Sequence, residues 1–464
     1  MSTIHRYPDL RARFRGALLR PGEEGYDEAR RVWNGSVDRR PALIARCAGA
    51  DDVATAVRFA RDHDLLVSVR GGGHAVAGHA VCDDGLMIDL SLMKSVRVDP
   101  AARTVRGAGG LLWGELDRAT QQFGLATPSG IVSHTGIGGL TLGGGLGYTM
   151  RRFGLTVDNL LGVDLVTADG EAVHVDAWTE PELFWGLRGG GGNFGVATAF
   201  TYRLHQLGPM VLGGPVFWAL EDAAEVLGAV RELAPSAPDE LGIVLFLRLA
   251  PPNPALPPEL PGTPVLGLNL VWAGDPAAGR AAVAPWRRIG RPLADLVRPA
   301  PYLFVQSSLD AGNPHGLHYY WRSQRVPDLT EAVVDRLAGL AGSITSPLSY
   351  VAGFAMGGAV TRVDGDTTAV GEREAGYELS IVAAWPPPDP SPERHVAWVR
   401  GGSEALSPYR TGVFSHFLSD EGPAGVEDAY GDRLKRLTAL KDRWDPANVF
   451  RHNANIPPTP AGGR

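Results

Sequence analysis

The sequence lacks the features that define several classes of protein. Only two cysteines, Cys47 and Cys82, occur among 464 residues, which excludes a disulfide framework. Lys and Arg number 44 against 51 Asp and Glu, and this formal net charge of −7 disfavours a nucleic-acid-binding protein. No run approaches the roughly 20 consecutive apolar residues that span a bilayer. We therefore expect neither a nucleic-acid partner nor membrane insertion.

Motifs of metal-dependent and of common nucleotide-binding chemistry are also missing. The chain has no CxxC and no HExxH, so no metal site is predicted. It has no GxxxxGK[ST], and no GxGxxG lies in a βαβ pattern, which disfavours P-loop and Rossmann sites and hence an NAD-dependent dehydrogenase. Residues 1–19 are charged throughout and lack the apolar core of a secretion signal. With so little cysteine, this predicts a cytoplasmic location.

Glycine, by contrast, is abundant and clustered. There are 60 glycines, about twice the usual share, and they concentrate in segments 70–74, 136–147 and 188–195. Glycine is needed where the backbone adopts positive φ or approaches a ligand closely, and runs of backbone N–H groups suit phosphate oxygens. Tight turns alone are the alternative for any one segment. Three such segments together favour a long cofactor lying across the loops.

Hydrophobic periodicity divides the chain into two α+β domains. We expect a first domain at 1–205 with its core at about 38–205, a second domain at 206–420, and a C-terminal segment at 421–464 that completes the first. In the first half, the pattern predicts a helix at 51–63, strands at 65–70, 86–90 and 103–106, a helical stretch at 111–123, and a hairpin at 162–175 that turns at Asp169-Gly170. In the second half it predicts strands at 243–249, 266–272, 315–322 and 377–385, helices near 221–233, 276–287 and 328–341, a proline-rich loop at 251–264, and a helix at 429–443. The second domain is therefore expected to be an antiparallel sheet with helices on one face.

Four motifs resemble a known family. They are VRGGGHAVAGHAVCDDGLMIDLSLM at 69–93, SGIVSHTGIGGLTLGGGLGYTMRRFGLTVDNL at 129–160, LFWGLRGGGGNFGVAT at 183–198 and RLTALKDRWDPANVFRHNANIPP at 436–458. In this order they resemble the vanillyl-alcohol-oxidase or PCMH-type FAD-binding superfamily, and within it the berberine-bridge-enzyme-like (BBE-like) oxidoreductases. The section at about 206–410 resembles the family in pattern alone. The resemblance implies a two-domain PCMH-type FAD-binding fold with a separate substrate domain.

The resemblance also implies which residues bind FAD. His74 would carry an 8α-histidyl bond to the flavin, although a histidine at the end of a strand is more often structural. The remaining residues would surround the pyrophosphate and ribityl chain, the flavin, the adenine end and the pyrimidine edge: Arg70, Gly71, Gly72, Gly73, Gly78, His79, Gly136, Gly138, Gly139, Gly143, Gly144, Gly195, Val196, Asn453 and Asn455.

Two positions of the second motif bear on the flavin's chemistry. Some family members attach FAD a second time through a cysteine, and Val132 stands at that position here. We therefore expect a single covalent link and no cysteinyl link. Thr135 stands where the family controls oxygen access, and because Thr is nearly isosteric with Val, the residue typical of oxidases, oxygen entry is predicted.

Several residues are candidates for the catalytic base. Glu378 and Ser380 share one face of a predicted strand on which the family places active-site groups, although an exposed strand charge is the alternative for Glu378. The family's usual tyrosine is replaced by Phe414, and His416 two residues later is a second candidate. The aromatic run HYYW at 318–321 suits a substrate wall or simple core.

These features predict an FAD-dependent oxidase. It would remove a hydride from a C–H next to O or N of a small organic or secondary-metabolite substrate and pass the electrons to O2. A flavin-retaining, redox-neutral cyclase of secondary metabolism is the alternative, and a plain flavin-binding protein is a third. Either a monomer or a homodimer is compatible with the sequence.

Overall fold

The computed structural model describes residues 7–371 and 373–460. The first half of the chain alternates short strands and helices, which we number in chain order. They are α1 (Tyr7–Arg13), β1 (Ala17–Leu19), α2 (Tyr26–Ala29), β2 (Leu43–Arg46), α3 (Ala50–Asp62), β3 (Val67–Arg70), β4 (Leu86–Asp89), β5 (Val96–Asp99), β6 (Thr104–Ala108), α4 (Trp113–Gln121), β7 (Leu125–Ala126), α5 (Ile137–Leu142), α6 (Met150–Phe153), β8 (Leu160–Val166), β9 (Ala172–Asp176), α7 (Pro181–Leu187), β10 (Val196–Arg203) and β11 (His205–Gln206).

These strands form two main sheets. The first has the order β1-β2-β4-β3 with β2, β4 and β3 parallel, and the second has the antiparallel order β5-β6-β10-β8-β9. Helix α3 packs between them because its apolar side chains recur at helical spacing: Val53, Ala56, Val57 and Ala60 are all buried in one core cluster with strand residues of both sheets. A short pair, β7 and β11, joins the end of this half to the next.

The second half of the chain contains longer strands. They and their helices are β12 (Met210–Ala219), α8 (Ala223–Leu233), β13 (Leu241–Leu249), β14 (Pro264–Trp272), α9 (Pro276–Arg287), β15 (Ala294–Asp295), β16 (Arg298–Pro301), α10 (Tyr302–Ser307), β17 (His318–Val326), α11 (Glu331–Gly342), β18 (Tyr350–Met356), α12 (Ala359–Arg362), β19 (Gly376–Trp385) and α13 (Glu393–Leu406). All pairings in this sheet are antiparallel, in the order β15-β12-β14-β13-β18-β19-β17, with β16 also pairing with β12.

The large sheet separates two environments. On one face, alternate residues of β13, β14 and β19 pack against α8, α9, α11 and α13 in the largest apolar cluster. The opposite face packs against residues of the first half, including Trp33, Val76, Tyr148 and Leu155. The site described below lies between that face and the two smaller sheets.

The C-terminal segment returns to the first half. Its helices α14 (Gly422–Tyr430) and α15 (Arg433–Trp444) pack on α7 and the second sheet, and Val449 and Phe450 join the cluster around α3. No helix in the described ranges 7–371 and 373–460 has both the length and the hydropathy needed to cross a membrane.

The α+β architecture with an antiparallel sheet covered by helices confirms the expected fold class, and the Asp169-Gly170 turn joins β8 to β9 as predicted. The helix predicted at 429–443 is observed from Arg433 onwards as α15, and only its start differs, because Gly431 adopts a φ of +49° between α14 and α15. Strands β12 and β18 were not predicted, since glycines at 213, 214 and 353 interrupt their apolar alternation. The domain boundaries at 205 and 420 remain predictions.

Candidate active site

A deep cleft lies between the glycine-rich loops of the first half and the inner face of the large sheet. It encloses about 2110 Å³ of space that no protein atom fills, including its open mouth. The three glycine segments, strands β17–β19 and the C-terminal segment all contribute walls. Among the predicted site residues, those that line it are Gly71, Gly72, Gly73, His74, His79, Thr135, Gly136, Gly138, Gly139, Gly143, Gly195, Val196, Ser380, His416 and Asn453.

The first two glycine segments contact each other through their backbones. A Cβ atom at Gly72 would lie 2.5 Å from the Cα of Gly136, and a Cβ at Gly136 would lie 2.7 Å from the Cα of Gly72. Only glycine fits at either position, because a side chain on one loop would collide with the main chain of the other. Gly139 and Gly192, by contrast, have no neighbouring atom within 4 Å on the side where a Cβ would project. The glycine segments thus combine close packing with backbone left open to a ligand.

His74 lies at one end of an aromatic stack that crosses between the two halves. Its ring stacks on the Trp33 indole at a centroid distance of 4.2 Å, and Trp33 stacks in turn on Tyr319 of β17 at 3.7 Å. The Trp33 indole N–H donates to the Asn313 carbonyl, which fixes the stack. The Nε2 atom of His74 is buried and has no hydrogen-bond partner among the described residues. Burial, with smaller contributions from His134 and His315, holds the pKa of His74 well below its usual value.

Two further histidines surround His74, and sequence reasoning missed both. The His134 ring lies 5.1 Å from the His74 ring and 4.9 Å from that of His315. Burial lowers the pKa of both residues. His134 precedes Thr135 in a segment already singled out, but no local pattern connects it to His315. Among the residues the structure describes, no group of His, Cys, Asp and Glu is arranged to hold a metal ion.

The C-terminal segment is attached to the third glycine segment by a buried cluster. The side-chain amide of Asn193 donates to the Ala454 carbonyl at 3.1 Å, and its Oδ1 accepts from the Ile456 amide at 2.9 Å. The Lys441 ammonium donates to the carbonyls of Asn193 and Phe450 and to the carboxylate of Asp445. This cluster positions Asn453, whose side chain donates to the carbonyls of Gly192 and Phe450 at 3.2 Å.

The wall opposite the glycine loops is aromatic. Trp321 of β17, Tyr350 and Phe354 of β18, and Phe417 line it, and the Trp321 indole N–H donates to the Phe417 carbonyl at 3.0 Å. Strand alternation places Tyr319 and Trp321 of the HYYW run on the inner face and Tyr320 on the opposite face, and each of the two predictions for this run holds for one inner residue. Trp321 lines the cleft, Tyr319 is buried against Trp33, and Tyr320 points away and donates to Asp420.

Glu378 and Ser380 share the inner face of β19, as their spacing predicts. Ser380 lines the cleft, and its hydroxyl lies 2.6 Å from that of Ser323 on β17. Glu378 is not among the lining residues, and it is fully buried beside Arg325, with their charged atoms 3.8 Å apart. Its alternative interpretation as an exposed strand charge is thus wrong. Burial raises the pKa of Glu378 to about 8, although Arg325 opposes the shift.

His416 lines the cleft and supports a glycine loop. Because a carbonyl only accepts, its Nδ1 donates to the Gly143 carbonyl at 2.8 Å. Burial lowers the pKa of His416 to about 4, so the ring is neutral at physiological pH. Phe414, in place of the family's usual tyrosine, is buried beneath the guanidinium of Arg325.

The remaining predicted residues lie behind the surface of the cleft. Arg70 donates to the Ala29 carbonyl, and a Cβ at Gly78 would collide with Val37. Gly144 packs against Val370 and Phe414, and Asn455 also lies outside the lining. These four positions lie outside the lining, and their assignment as binding residues remains a prediction.

The lining has the chemistry that FAD requires. None of the lining residues is Lys or Arg, so phosphate groups bound there would rely on main-chain N–H donors. The backbone is uncovered at Gly139 and Gly192, where no neighbouring atom lies within 4 Å of a Cβ position. The buried Oδ1 atoms of Asn453 and Asn455 have no hydrogen-bond partner among the described residues, and a pyrimidine-type N–H is a suitable donor for such acceptors. Val132 lines the cleft, whereas Cys47 and Cys82 are buried outside it.

Comparison with known proteins agrees with this reading. Residues 41–176 match the family model described as FAD binding domain, and residues 420–457 match the model described as berberine and berberine like. An FAD-linked oxidoreductase of Dictyostelium discoideum is 33% identical over 448 residues, which cover 96% of this chain and 95% of that one. The (R)-6-hydroxynicotine oxidase of Paenarthrobacter nicotinovorans is 31% identical over 460 residues, covering 96% and 97%. The crystal structure of 6-hydroxy-D-nicotine oxidase from Arthrobacter nicotinovorans is 29% identical, with a TM-score of 0.86 and coverage of 96% and 98%.

Proposed function

Because the chain belongs to the BBE-like family of FAD-linked oxidoreductases, we propose that it is an oxidase with FAD attached through His74. In the overall reaction a C–H carbon next to O or N loses a hydride, the heteroatom loses a proton, and O2 becomes H2O2. Bound FAD supplies the two-electron acceptor. The substrate is a small organic molecule, and a role in secondary metabolism is part of the proposal.

The position of His74 carries the proposal. Its ring is fixed by Trp33 at the base of the cleft, its Nε2 has no hydrogen-bond partner among the described residues, and its lowered pKa keeps the ring neutral and hence nucleophilic. A histidine with only a structural role would be expected to use its buried nitrogen in a hydrogen bond.

Other residues of the cleft have separate roles in the proposed reaction. His416 keeps the Gly143 loop in place through its Nδ1–H, and Ser380 presents a hydroxyl to the substrate side. Glu378 is the candidate for accepting the substrate's proton, since a pKa of about 8 is closer to neutrality than that of an ordinary carboxyl. Because Glu378 lies behind the lining, the substrate's proton would pass to it through a group that stands between the two. Thr135 lines the cleft beside His134, where its small side chain leaves room for O2.

Acid precipitation of the purified protein tests the attachment. We expect yellow colour in the washed wild-type pellet and none in that of His74→Ala. The matched control is His134→Ala. The His134 ring lies only 5.1 Å from the His74 ring, but it is not proposed to bond to the flavin. Flavin that leaves the wild-type pellet, or that stays with His74→Ala, contradicts the covalent assignment.

The buried Phe414 favours a second function, a redox-neutral cyclase that keeps the flavin. Phe414 cannot ionise, and so it removes one of the family's usual proton acceptors. Anaerobic mixing separates the two functions. Bleaching of the flavin by substrate, followed by H2O2 when O2 is admitted, supports the oxidase, whereas conversion of substrate with no bleaching supports the cyclase.

A further inference from the structure

The lining of the cleft contains no formal charge. Among the residues that the structure describes, no Asp, Glu, Lys or Arg reaches its surface. The wall opposite the glycine loops, which we call the substrate side, is formed mainly by aromatic and aliphatic groups: Trp321, Tyr350, Ala352, Phe354, Val382 and Phe417. A charged substrate would lose its hydration there without gaining a counter-ion, which disfavours its binding.

Charged residues do occur nearby, but each is directed elsewhere. The Arg248 guanidinium lies behind Tyr350, 5.9 Å from the ring centroid. Asp310 uses both carboxylate oxygens to accept from the amide and hydroxyl of Ser133, at 2.8 and 2.5 Å. Glu378 is buried with Arg325. None of these groups lines the space that a substrate would occupy.

The polar groups of the substrate side are already hydrogen-bonded within the protein. Tyr350 donates its hydroxyl to the Asn313 side chain at 2.9 Å, and Asn313 donates to the Leu309 carbonyl at 2.9 Å. Ser380 is paired with Ser323. The wall therefore has little capacity to replace the many hydrogen bonds that a sugar makes with water.

We infer that the substrate is uncharged and mainly aromatic or alicyclic, with one polar function at the reacting carbon. This inference rests on the proposed oxidase function and specifies its substrate class. Flat rings gain by packing against Trp321, Phe354 and Phe417, because aromatic pairs are favourable beyond the area that they bury. Carboxylates, ammonium compounds and oligosaccharides are disfavoured for the reasons given above.

Binding to the oxidised holoprotein tests the inference with four probes: 2-naphthalenemethanol, 2-naphthoate, 2-naphthylmethylammonium and cellobiose. Each is titrated while the visible flavin spectrum is recorded without turnover. We expect the neutral alcohol to bind at least about tenfold more tightly than either ion, and cellobiose not to bind in the same range. Equal or tighter binding of an ion or of cellobiose overturns the inference, as does failure of the alcohol to bind.

A pair of variants on one strand tests whether the wall is responsible. Trp321→Leu is expected to weaken binding of the alcohol about tenfold, whereas Tyr320→Leu changes an aromatic residue on the opposite face and is expected to have no effect. Phe354→Leu replaces Trp321→Leu if the latter does not fold. Equal binding by the wall variants and the wild type contradicts the inference.

Failure of the inference is distinguishable from failure of the proposed function. Flavin bleaching by a charged compound or a sugar would leave the oxidase in place but overturn the substrate class. If neutral aromatic alcohols and amines shift the flavin spectrum but none of them bleaches the flavin, the inferred substrate class is supported and the proposed oxidase function is not.

Discussion

The ammonium of Lys441 lies 2.6 Å from a carboxylate oxygen of Asp445, and neither side chain is exposed to solvent. The same ammonium donates to Asn193 and Phe450, and Asp445 accepts from the amides of Val449 and Phe450. Every charged atom is thus satisfied internally, which is the condition under which a buried ion pair is tolerated. The pair connects the third glycine segment to the C-terminal segment.

Breaking this pair is expected to destabilise the protein and release flavin. Lys441→Met leaves the Asp445 carboxylate buried without its counter-ion, and such changes cost about 3–5 kcal/mol. Glu182→Gln is the control, because it removes an exposed ion pair with Arg436, which lies on the same helix as Lys441. The expected loss in the free energy of unfolding is about 1 kcal/mol or less. Urea unfolding and the flavin-to-protein absorbance ratio measure both effects. Equal losses in the two variants would contradict the role of the buried pair.

A second buried carboxyl, Asp117, is expected to make stability depend on pH. It lies fully buried on α4, accepts from Gln306 of α10, and burial raises its pKa to about 7. The unfolded chain binds its proton less tightly, with a pKa near 3.8. The folded protein therefore retains the proton between about pH 4 and 7 while the unfolded chain releases it, and stability falls as pH rises through that window.

Asp117→Asn removes this titration and retains an acceptor for Gln306. We expect the free energy of unfolding of the variant to rise relative to that of the wild type as pH increases from 4 to 7, by roughly a few kcal/mol in total. Above pH 7 the difference is expected to stay constant. Urea unfolding at pH 5 and pH 8 measures the change. Wild-type and variant stabilities that run parallel between those pH values would show that Asp117 titrates normally.

The contact between Gly72 and Gly136 is expected to tolerate no side chain. Gly72→Ala introduces a methyl group 2.5 Å from the Cα of Gly136, so the loops must separate at a cost of about 1–3 kcal/mol. Gly228→Ala on α8 is the matched control, because no atom lies within 4 Å of the added methyl, and it is expected to be neutral or stabilising by up to about 1 kcal/mol. Thermal unfolding and FAD content test the difference. Similar behaviour of the two variants would contradict the close contact.

The candidate base is expected to be visible in the pH dependence of flavin reduction. If Glu378 accepts the substrate's proton, the rate rises with pH through about 8, since only the carboxylate accepts. Glu378→Gln is then expected to lose this pH dependence and to reduce its flavin at least about 100-fold more slowly. A rise near pH 4 instead assigns the base to His416. Stopped-flow reduction under anaerobic conditions gives these rates, and an unchanged profile in Glu378→Gln removes Glu378 from the mechanism.

The side chain at Thr135 is expected to set the rate of reoxidation by O2. Thr135→Leu adds bulk inside the cleft and is expected to slow reoxidation about tenfold, a change of about 1.4 kcal/mol in the barrier. Thr135→Val keeps the size and is the control. Reoxidation is followed by mixing the reduced protein with aerated buffer, while the anaerobic reductive rate shows whether substrate binding is intact. Equal reoxidation rates in the Leu and Val variants would exclude this position as an oxygen gate.

Sequence reasoning found the parts of the site that local pattern encodes. The glycine loops and His74 were predicted because a cluster of glycines can be recognised in the sequence without knowledge of tertiary contacts. The two-residue period of a strand likewise places Glu378 and Ser380 on one face. His134, His315 and Trp33 were missed, because their proximity to His74 depends on packing between segments far apart in the chain. Trp33, for example, donates to Asn313, 280 residues later. The burial of Glu378 escaped prediction for the same reason: its own strand cannot reveal that Arg325 and Phe414 cover it.

The wall supplied by Phe450, His452, Asn453 and Ala454 has a consequence for biosynthesis. The ribosome makes these residues after all three glycine segments and after the whole large sheet. A nascent chain that lacks them has a cleft open along one side, without the Asn193 and Lys441 attachments that hold the last segment. Stable capture of the cofactor is therefore expected only after residues 450–454 have been made, and a protein truncated before Phe450 is expected to accumulate without flavin however well its sheets fold.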